Sequence, residues 1–210
     1  MATGKTKITP TPLNLSGLLP CLHKQAQKAF ERGDVAGFSA TFGNEQALDA
    51  VLSNRTQFQA RGIYEAAIVD AYCAVRTNLH NWSTQKLEEM LLLGDRQKLL
   101  AAGGPLPGEG PFTVYRGVSG SGRLRRVRGT SWTGSLGVAC WFALRFGFPN
   151  PAVYRAGVSA AGVYCYITQR KEQEFVCRPT RCVDVGLTAQ EMRAAIPPDI
   201  SSVGHEFSLA

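Results

Sequence analysis

The segment Gly103–Pro111 constrains the fold of this chain more than any other feature, because four glycines and three prolines fall within nine residues. Such a segment ends helices and strands alike. Before it, apolar residues recur at spacings of three and four; after it, short runs rich in β-branched and aromatic residues dominate. Helices followed by strands predict an α+β architecture. We therefore predict a helical N-terminal region over residues 1–110 and a second domain over residues 111–210.

The N-terminal region begins with a polar stretch, residues 1–12, that is predicted to be a flexible arm. Glycine readily adopts the conformation that ends a helix, so Gly33 and the pair Gly103-Gly104 mark two helix ends. Four helices are predicted, at about residues 20–32, 45–53, 58–79 and 83–102.

The second half is predicted to hold short strands interrupted by one helix, which covers Ser135–Phe146 with Ser135 capping its first turn. A last helix is predicted at Thr188–Ile196, where two prolines stop it. The predicted strands are Phe112–Arg116, Leu124–Arg128, Gly162–Thr168, Glu174–Arg178 and Arg181–Val185.

Composition excludes several classes of protein. With 44% hydrophobic and 19% charged residues, the chain is not of the disordered type. No apolar run approaches the ~18 residues of a membrane helix. The first residues lack the apolar region of a secretory signal. We therefore expect a soluble protein that acts in the cytoplasm without contact to a membrane.

The six cysteines do not show a metal-binding pattern, because no two form a Cys-x-x-Cys pair and the closest, Cys177 and Cys182, have no histidine nearby. No metal site is predicted. Cys140 and Cys165 lie in apolar runs and are predicted to be buried thiols. A chain of this length can bury a core without disulfides, which favours a reducing compartment.

The positive charge is concentrated in the second half. The net charge is +7, yet residues 111–182 hold eleven Lys and Arg against two acids. Those two acids are Glu172 and Glu174. If residues 172–176 are extended, both side chains lie on one face of a strand. The alternative is a pair of solvated acids in a turn that neutralise Arg170 and Lys171.

Three short motifs follow one another along this basic region. The first is Val114-Tyr115-Arg116-Gly117; the second is Gly129-Thr130-Ser131-Trp132-Thr133 before the predicted helix; the third is the Glu-x-Glu of residues 172–174. Over about residues 111–186 the chain resembles the ADP-ribosyltransferase toxin superfamily, in its arginine–serine–glutamate, cholera-toxin-like branch. The second motif departs from the family's Ser-Thr-Ser, although a hydroxyl survives at both outer positions.

The resemblance implies a mostly antiparallel, two-sheet ADP-ribosyltransferase fold, on which the helical N-terminal half packs. It implies a mono-ADP-ribosyltransferase toxin or effector that cleaves NAD as its substrate, needs no metal, and has a cognate antitoxin or immunity protein. The acceptor of ADP-ribose would be a macromolecule. A different class of function stays open, namely a non-enzymatic module that keeps this fold and binds a nucleotide or RNA.

The resemblance also implies roles for individual residues. Cleavage of the nicotinamide–ribose bond builds positive charge on the ribose, which the carboxylate of Glu174 would stabilise. The guanidinium of Arg116 matches the pyrophosphate of NAD. Ser131, and more weakly Thr133, would hold Glu174 or the ribose by hydrogen bonds. The remaining candidates for the NAD pocket are Tyr115, Gly117 and Trp132.

Two acceptors are compatible with the sequence. Glu172 favours a protein arginine, because a carboxylate can bind a guanidinium and help to deprotonate it. A run of four arginines favours RNA or DNA, since such a strip can follow a phosphate backbone while Tyr115, Trp132 or Trp141 stacks a base. The alternative for this run is a solvated edge strand. Its members are Arg123, Arg125, Arg126 and Arg128.

Overall fold

The structure is a computed structural model of the chain, and it describes residues 12–75, 82–122, 125–168 and 172–201. The chain divides into two compact units, Met1–Leu79 and His80–Ala210. Helices dominate the first unit, whereas the second contains helices and all described strands. The predicted α+β class is therefore confirmed. The division falls well before residue 110, because two helices assigned by sequence to the N-terminal region belong to the unit of the sheet.

The first unit contains five described helices rather than the three predicted there. The predicted helix over residues 58–79 is wrong as a single element, because Gly62 (φ 67°) separates two helices and residues 76–81 lie outside the described part. The helix before residue 45 was not predicted. The five are α1 (Pro20–Arg32), α2 (Val35–Phe42), α3 (Ala47–Ser53), α4 (Arg55–Ala60) and α5 (Tyr64–Ala74).

Aromatic packing and one buried amide organise this unit. Phe58 makes edge-to-face contacts with Phe30 and Phe38, at centroid distances of 5.2 and 5.0 Å. Asn54 is fully buried; its amide group donates to the carbonyl of Asn14 (2.9 Å) and accepts from the N–H of Asn14 (2.6 Å). The chain just after the predicted N-terminal arm is thereby tied to the helices. Residues 1–11 of that arm lie outside the described residues.

In the second unit, the predicted helix over residues 83–102 is divided. Ser83 caps the first part as a helix N-cap, and Asp95 caps the second by accepting from the N–H of Lys98 (3.0 Å). The helices are α6 (Thr84–Leu92), α7 (Arg96–Ala102), α8 (Leu136–Leu144), α9 (Ala189–Ala195) and α10 (Pro198–Ser201). The strands are β1 (Phe112–Val118), β2 (Ser131–Thr133), β3 (Ala152–Val158), β4 (Val163–Ile167), β5 (Glu174–Cys177) and β6 (Val183–Asp184).

The described strands form a single six-stranded antiparallel sheet in the order β4-β5-β2-β1-β3-β6, where the resemblance implied two sheets. The strand predicted at Leu124–Arg128 is wrong, because residues 125–128 form a turn and Leu124 is outside the described residues. Strand β3 was missed, although its alternating sequence, Ala-Val-Tyr-Arg-Ala-Gly-Val, fits a strand.

The two faces of the sheet differ in what covers them. One face, called the core face here, contributes large apolar side chains to a hydrophobic cluster that includes Val114, Trp132 and Phe175. The other, called the α8 face, packs on α8 and α9 around Ala139 and Met192. Successive residues of a strand point to opposite faces, so each strand contributes to both.

The glycine pair that ends the predicted helical region also protects an edge of the sheet. The N–H of Gly104 donates to the carbonyl of Tyr166 in the edge strand β4 (2.6 Å). A Cβ at Gly103 would lie only 2.5 Å from that same carbonyl oxygen, so only glycine fits there without a shift. The break therefore covers part of an otherwise open strand edge.

Other expectations are met in part. None of the six cysteines, all of which lie within the described residues, takes part in a disulfide. Cys140 and Cys165 are buried, as predicted. Among the described helices, none has the length and apolar character needed to cross a membrane.

Candidate active site on the α8 face

The three sequence motifs lie on adjacent strands. Arg116 lies in β1, Ser131 and Thr133 form the ends of β2, and Glu174 begins β5. In the sheet these strands are direct neighbours, in the order β5-β2-β1. The fold thus brings together segments that are up to 58 residues apart in the sequence.

One row of directly paired residues crosses all six strands on the α8 face. Each member is the register partner of the next, so their side chains emerge side by side. Cα atoms of neighbouring strands are separated by about 5 Å, so these residues lie in one line across the sheet. Ile167, Glu174 and Thr133 are buried, whereas Arg155 and Val183 at the other end are exposed. In strand order the row is Ile167, Glu174, Thr133, Tyr115, Arg155 and Val183.

Glu174 is the acid of this row, and it is 7% exposed. It stands directly opposite Thr133 on one side and Ile167 on the other. A carboxylate so far from water is retained at a cost unless the surroundings hold it by hydrogen bonds or charge. Its burial and its fixed register beside a hydroxyl residue make Glu174 a candidate site residue.

Glu172 does not share a strand face with Glu174, because the extended conformation predicted for residues 172–176 begins only at Glu174. Gln173 has φ 48°, a left-handed conformation that breaks the two-residue alternation. The segment is fixed instead through its backbone: the carbonyl of Glu172 accepts from the Thr133 hydroxyl (2.5 Å), and that of Gln173 accepts from the N–H of Gly134 (3.0 Å).

Of the two hydroxyl residues of β2, it is Thr133 rather than Ser131 that lies beside Glu174. Thr133, predicted as the weaker partner, is the register partner of Glu174, whereas Ser131 pairs with Val176 one row away. The Thr133 hydroxyl also accepts from the N–H of Ser135, the residue that caps α8 (3.0 Å). Thr133 therefore connects three elements: the strand of Glu174, the segment before it and the start of α8.

Arg116 lies on the core face, the opposite side of the sheet from Glu174, since it alternates with Tyr115 in β1. Its guanidinium donates to the backbone carbonyls of Arg126 (2.9 Å) and Ser131. A Cβ at Gly129 would collide with this guanidinium, so glycine is required there. Arg116 thus organises the turn over residues 125–129, which explains why this segment is not a strand.

The other pocket candidates are divided between the two faces. Trp132 is 2% exposed within the core-face cluster and donates from Nε1 to the carbonyl of Gly129 (2.8 Å), so it contributes packing rather than a ligand surface. Tyr115 is half-buried in the row of Glu174 and packs against the α8 cluster. Gly117 allows α8 to pack closely on β1, because a Cβ there would collide with the helix backbone at Ala139.

The four-arginine run does not form a strand-edge strip. Arg125 donates to the carbonyl of Asn150 and to the hydroxyl of Tyr154 (3.4 Å), and Arg126 donates to the carbonyl of Trp82 (2.7 Å). Both are half-buried, whereas Arg128 is exposed and Arg123 lies outside the described residues. Two of the four guanidinium groups therefore support the fold.

The charges of Arg116 and Glu174 both act on one buried thiol. Burial raises the pKa of the Cys177 thiol to about 12; the Arg116 charge lowers it and the Glu174 charge raises it. Cys177 thus stays a protonated, apolar side chain of the core-face cluster at neutral pH.

Within the described ranges, no three His, Cys, Asp or Glu side chains are grouped closely enough to hold a metal ion. Of the three histidines, only His23 is described; its ring lies 3.0 Å from the carbonyl oxygen of Leu18. Comparisons with protein families, with curated proteins and with solved structures give no match to this chain.

Sequence reasoning did not single out Arg155 as a site residue, because strand β3 was not predicted. In the structure Arg155 is the register partner of Tyr115 and the exposed cation of the row. The signal was present in the alternation of β3, which puts Val153, Arg155 and Gly157 on one face.

Proposed function

We propose that this chain is an NAD-dependent mono-ADP-ribosyltransferase with an ADP-ribosyltransferase fold, as the resemblance of residues 111–186 implies. The observation that carries the proposal is the register of Glu174 opposite Thr133, in one row with Tyr115. A buried acid, a hydroxyl and an aromatic ring on neighbouring strands are the groups that the reaction needs. The intact acid and hydroxyl set argues against a non-enzymatic nucleotide- or RNA-binding module.

In the proposed reaction the bond between nicotinamide and C1′ of ribose breaks, and nicotinamide leaves with the electron pair. Positive charge develops on the ribose, and the Glu174 carboxylate stabilises it. Thr133 acts as a positioning residue, because it fixes the backbone of Glu172. Tyr115 offers a half-buried ring beside the reacting ribose. An acceptor atom then attacks C1′ and loses its proton.

The direct test is nicotinamide release from NAD by the purified chain and by Glu174→Gln. The variant keeps the size of the side chain and removes its charge, so we expect a loss of about 10²–10³ in rate or more with no loss of thermal stability. Glu109→Gln, the same change at an exposed loop position, is the matched control and keeps full activity. Full activity of Glu174→Gln overturns the proposal; ligand binding without release in the unaltered chain supports the non-enzymatic module.

The favoured acceptor is a protein arginine. The Glu172 carboxylate precedes Glu174 by two residues and suits an incoming guanidinium, whose proton it accepts. Glu172 is half-buried, and its backbone rather than its side chain makes the bond to Thr133. The carboxylate of Glu172 can therefore be altered without removing that bond.

A second candidate acceptor is RNA or DNA, and one observation favours it. Phe146 and Phe148 are 54% and 47% exposed, and their rings lie 5.7 Å apart. Arg145 stacks on Phe146 (4.4 Å), and Arg125 binds the same loop at Asn150. Exposed rings beside guanidinium groups are the surface that single-stranded nucleic acid uses.

Tagged NAD in a cell lysate separates the two acceptors. If the transferred label is removed by protease and survives nuclease, the acceptor is a protein; the reverse result assigns it to nucleic acid. On the basis of the resemblance, we also propose that the protein is a toxin or effector that acts in the cytoplasm and has a cognate antitoxin.

A further inference from the structure

A cavity of about 280 Å³ lies beside β3 and the segment that leads into β6. The two strands pair only at Tyr154–Asp184 and Arg155–Val183, so residues 181–182 diverge from the sheet. Gly157 forms part of the floor, and a Cβ built there meets no atom within 4 Å. The space therefore results from a local loss of strand pairing together with a missing side chain.

Two arginines line this cavity, Arg155 from β3 and Arg181 from the segment before β6. Both are exposed, and within the described residues neither guanidinium has a hydrogen-bond or ion-pair partner. The nearest acid along the chain, Asp184, is the register partner of Tyr154 and so belongs to the core face. The cavity thus joins two positive charges to a small open volume without an acid lining it.

The cavity continues the row of Glu174. Arg155 belongs to both, and it stands three strands from Glu174, about 14 Å at the usual spacing of strands. Between them lie Thr133 and Tyr115. The row therefore holds a buried acid towards one end and the exposed guanidinium of Arg155 towards the other.

We propose that Arg155 and Arg181 bind the pyrophosphate of a dinucleotide substrate in this cavity. Guanidinium groups match phosphate oxygens with paired donors. Arg116, the residue that the resemblance assigned to this task, is on the opposite face and is engaged with backbone carbonyls. The proposal rests on the proposed function for the identity of the substrate; the anion site itself rests on the cavity alone.

The experiment measures binding of inorganic pyrophosphate and of ADP-ribose by calorimetry. We expect both to bind the unaltered chain, and Arg155→Gln or Arg181→Gln to weaken each by about tenfold or more, as the loss of a charged hydrogen bond predicts. Arg193→Gln, an exposed arginine of α9 outside the cavity, is the control for net charge and leaves binding unchanged.

A second variant fills the cavity and keeps every charge. Gly157 has open space at its Cβ and lies in a strand, so Gly157→Val is expected to fold and to abolish pyrophosphate binding. Absence of pyrophosphate binding to the unaltered chain overturns the site, as does unchanged affinity in the arginine variants. Pyrophosphate binding without nicotinamide release leaves the anion site in place and removes the proposed function.

Discussion

The two faces of the sheet are built from the same strands, but β1, β2 and β5 contribute different side chains to each. On the core face, Val114, Trp132 and Phe175 are buried side by side in an apolar cluster. On the α8 face, the residues next to them in sequence are Tyr115, Thr133 and Glu174, which carry polar groups in one row. A shift of one residue along these strands therefore moves a side chain from the apolar cluster to the polar row.

Apolar packing on both faces of the sheet offsets the cost of burying an acid. The core-face cluster lies around Trp132 and Phe175, and the α8 face adds a smaller cluster around Ala139 and Met192. Strand β2 has only three residues, yet its middle residue, Trp132, is among the largest fully buried side chains. The hydroxyl residues on either side are thereby held in register with β5.

The largest effect on stability is expected on the core face. Phe175→Ala removes a ring that packs on Tyr166 (centroid distance 4.7 Å) and Phe112 (5.1 Å), and should lower the free energy of unfolding by about 3–5 kcal/mol. Glu174→Gln, one residue away, should leave it nearly unchanged. Denaturant unfolding of both variants, beside their rates of nicotinamide release, measures the contrast.

Two results would contradict this difference between the faces. One is a Phe175→Ala variant as stable as the unaltered chain, and the other is a Glu174→Gln variant as unstable as Phe175→Ala. The second result would make Glu174 a structural acid. The conservative variant Phe175→Leu is the control on the core face, because it retains most of the apolar volume and should lose less stability than the alanine variant.

The sequence predicted those elements that local signals determine. Helix α1 was predicted with its observed bounds, and the Ser135 cap of α8 is present, because proline, glycine and capping residues act locally. The strands of Arg116 and Glu174 were also predicted. Several errors arose where a contact distant in sequence decided the conformation, whereas β3 was missed although its local alternation fits a strand.

Two such errors concern the candidate site. Residues 125–128 were predicted to lie in a strand. In the structure the carbonyl of Arg126 accepts a hydrogen bond from the guanidinium of Arg116, which no local pattern reveals. Residues 172–173 were expected to be extended, but hydrogen bonds from Thr133 and Gly134 hold them in a bend with Gln173 at positive φ. The face of a strand residue can be predicted only when the strand's start is known.

Substitution of Gly117 or Gly157, two glycines on the α8 face, is expected to change the free energy of unfolding by less than Phe175→Ala. Gly117 in β1 faces the backbone of α8, so Gly117→Ala should displace the helix and lower the free energy of unfolding by about 1–3 kcal/mol. Gly157 in β3 faces open space, so Gly157→Ala should be neutral or stabilising by up to about 1 kcal/mol. Thermal unfolding of the two variants compares them; equal losses would contradict the packing of α8 on Gly117.

A smaller loss of stability than at Phe175 or Gly117 is expected at Thr133, and this residue also bears on the proposed reaction. Thr133→Val keeps the shape and strand propensity of the side chain but leaves the Glu172 carbonyl and the Ser135 N–H without their partner, at a cost of about 1–2 kcal/mol. Because the segment before Glu174 is then less well fixed, we expect nicotinamide release to fall about tenfold, chiefly in kcat. Thr133→Ser retains the hydroxyl and should recover most of the rate. If Thr133→Val loses stability but keeps its rate, the hydroxyl braces the fold without positioning Glu174, and the acid of the row must be held by its own strand register.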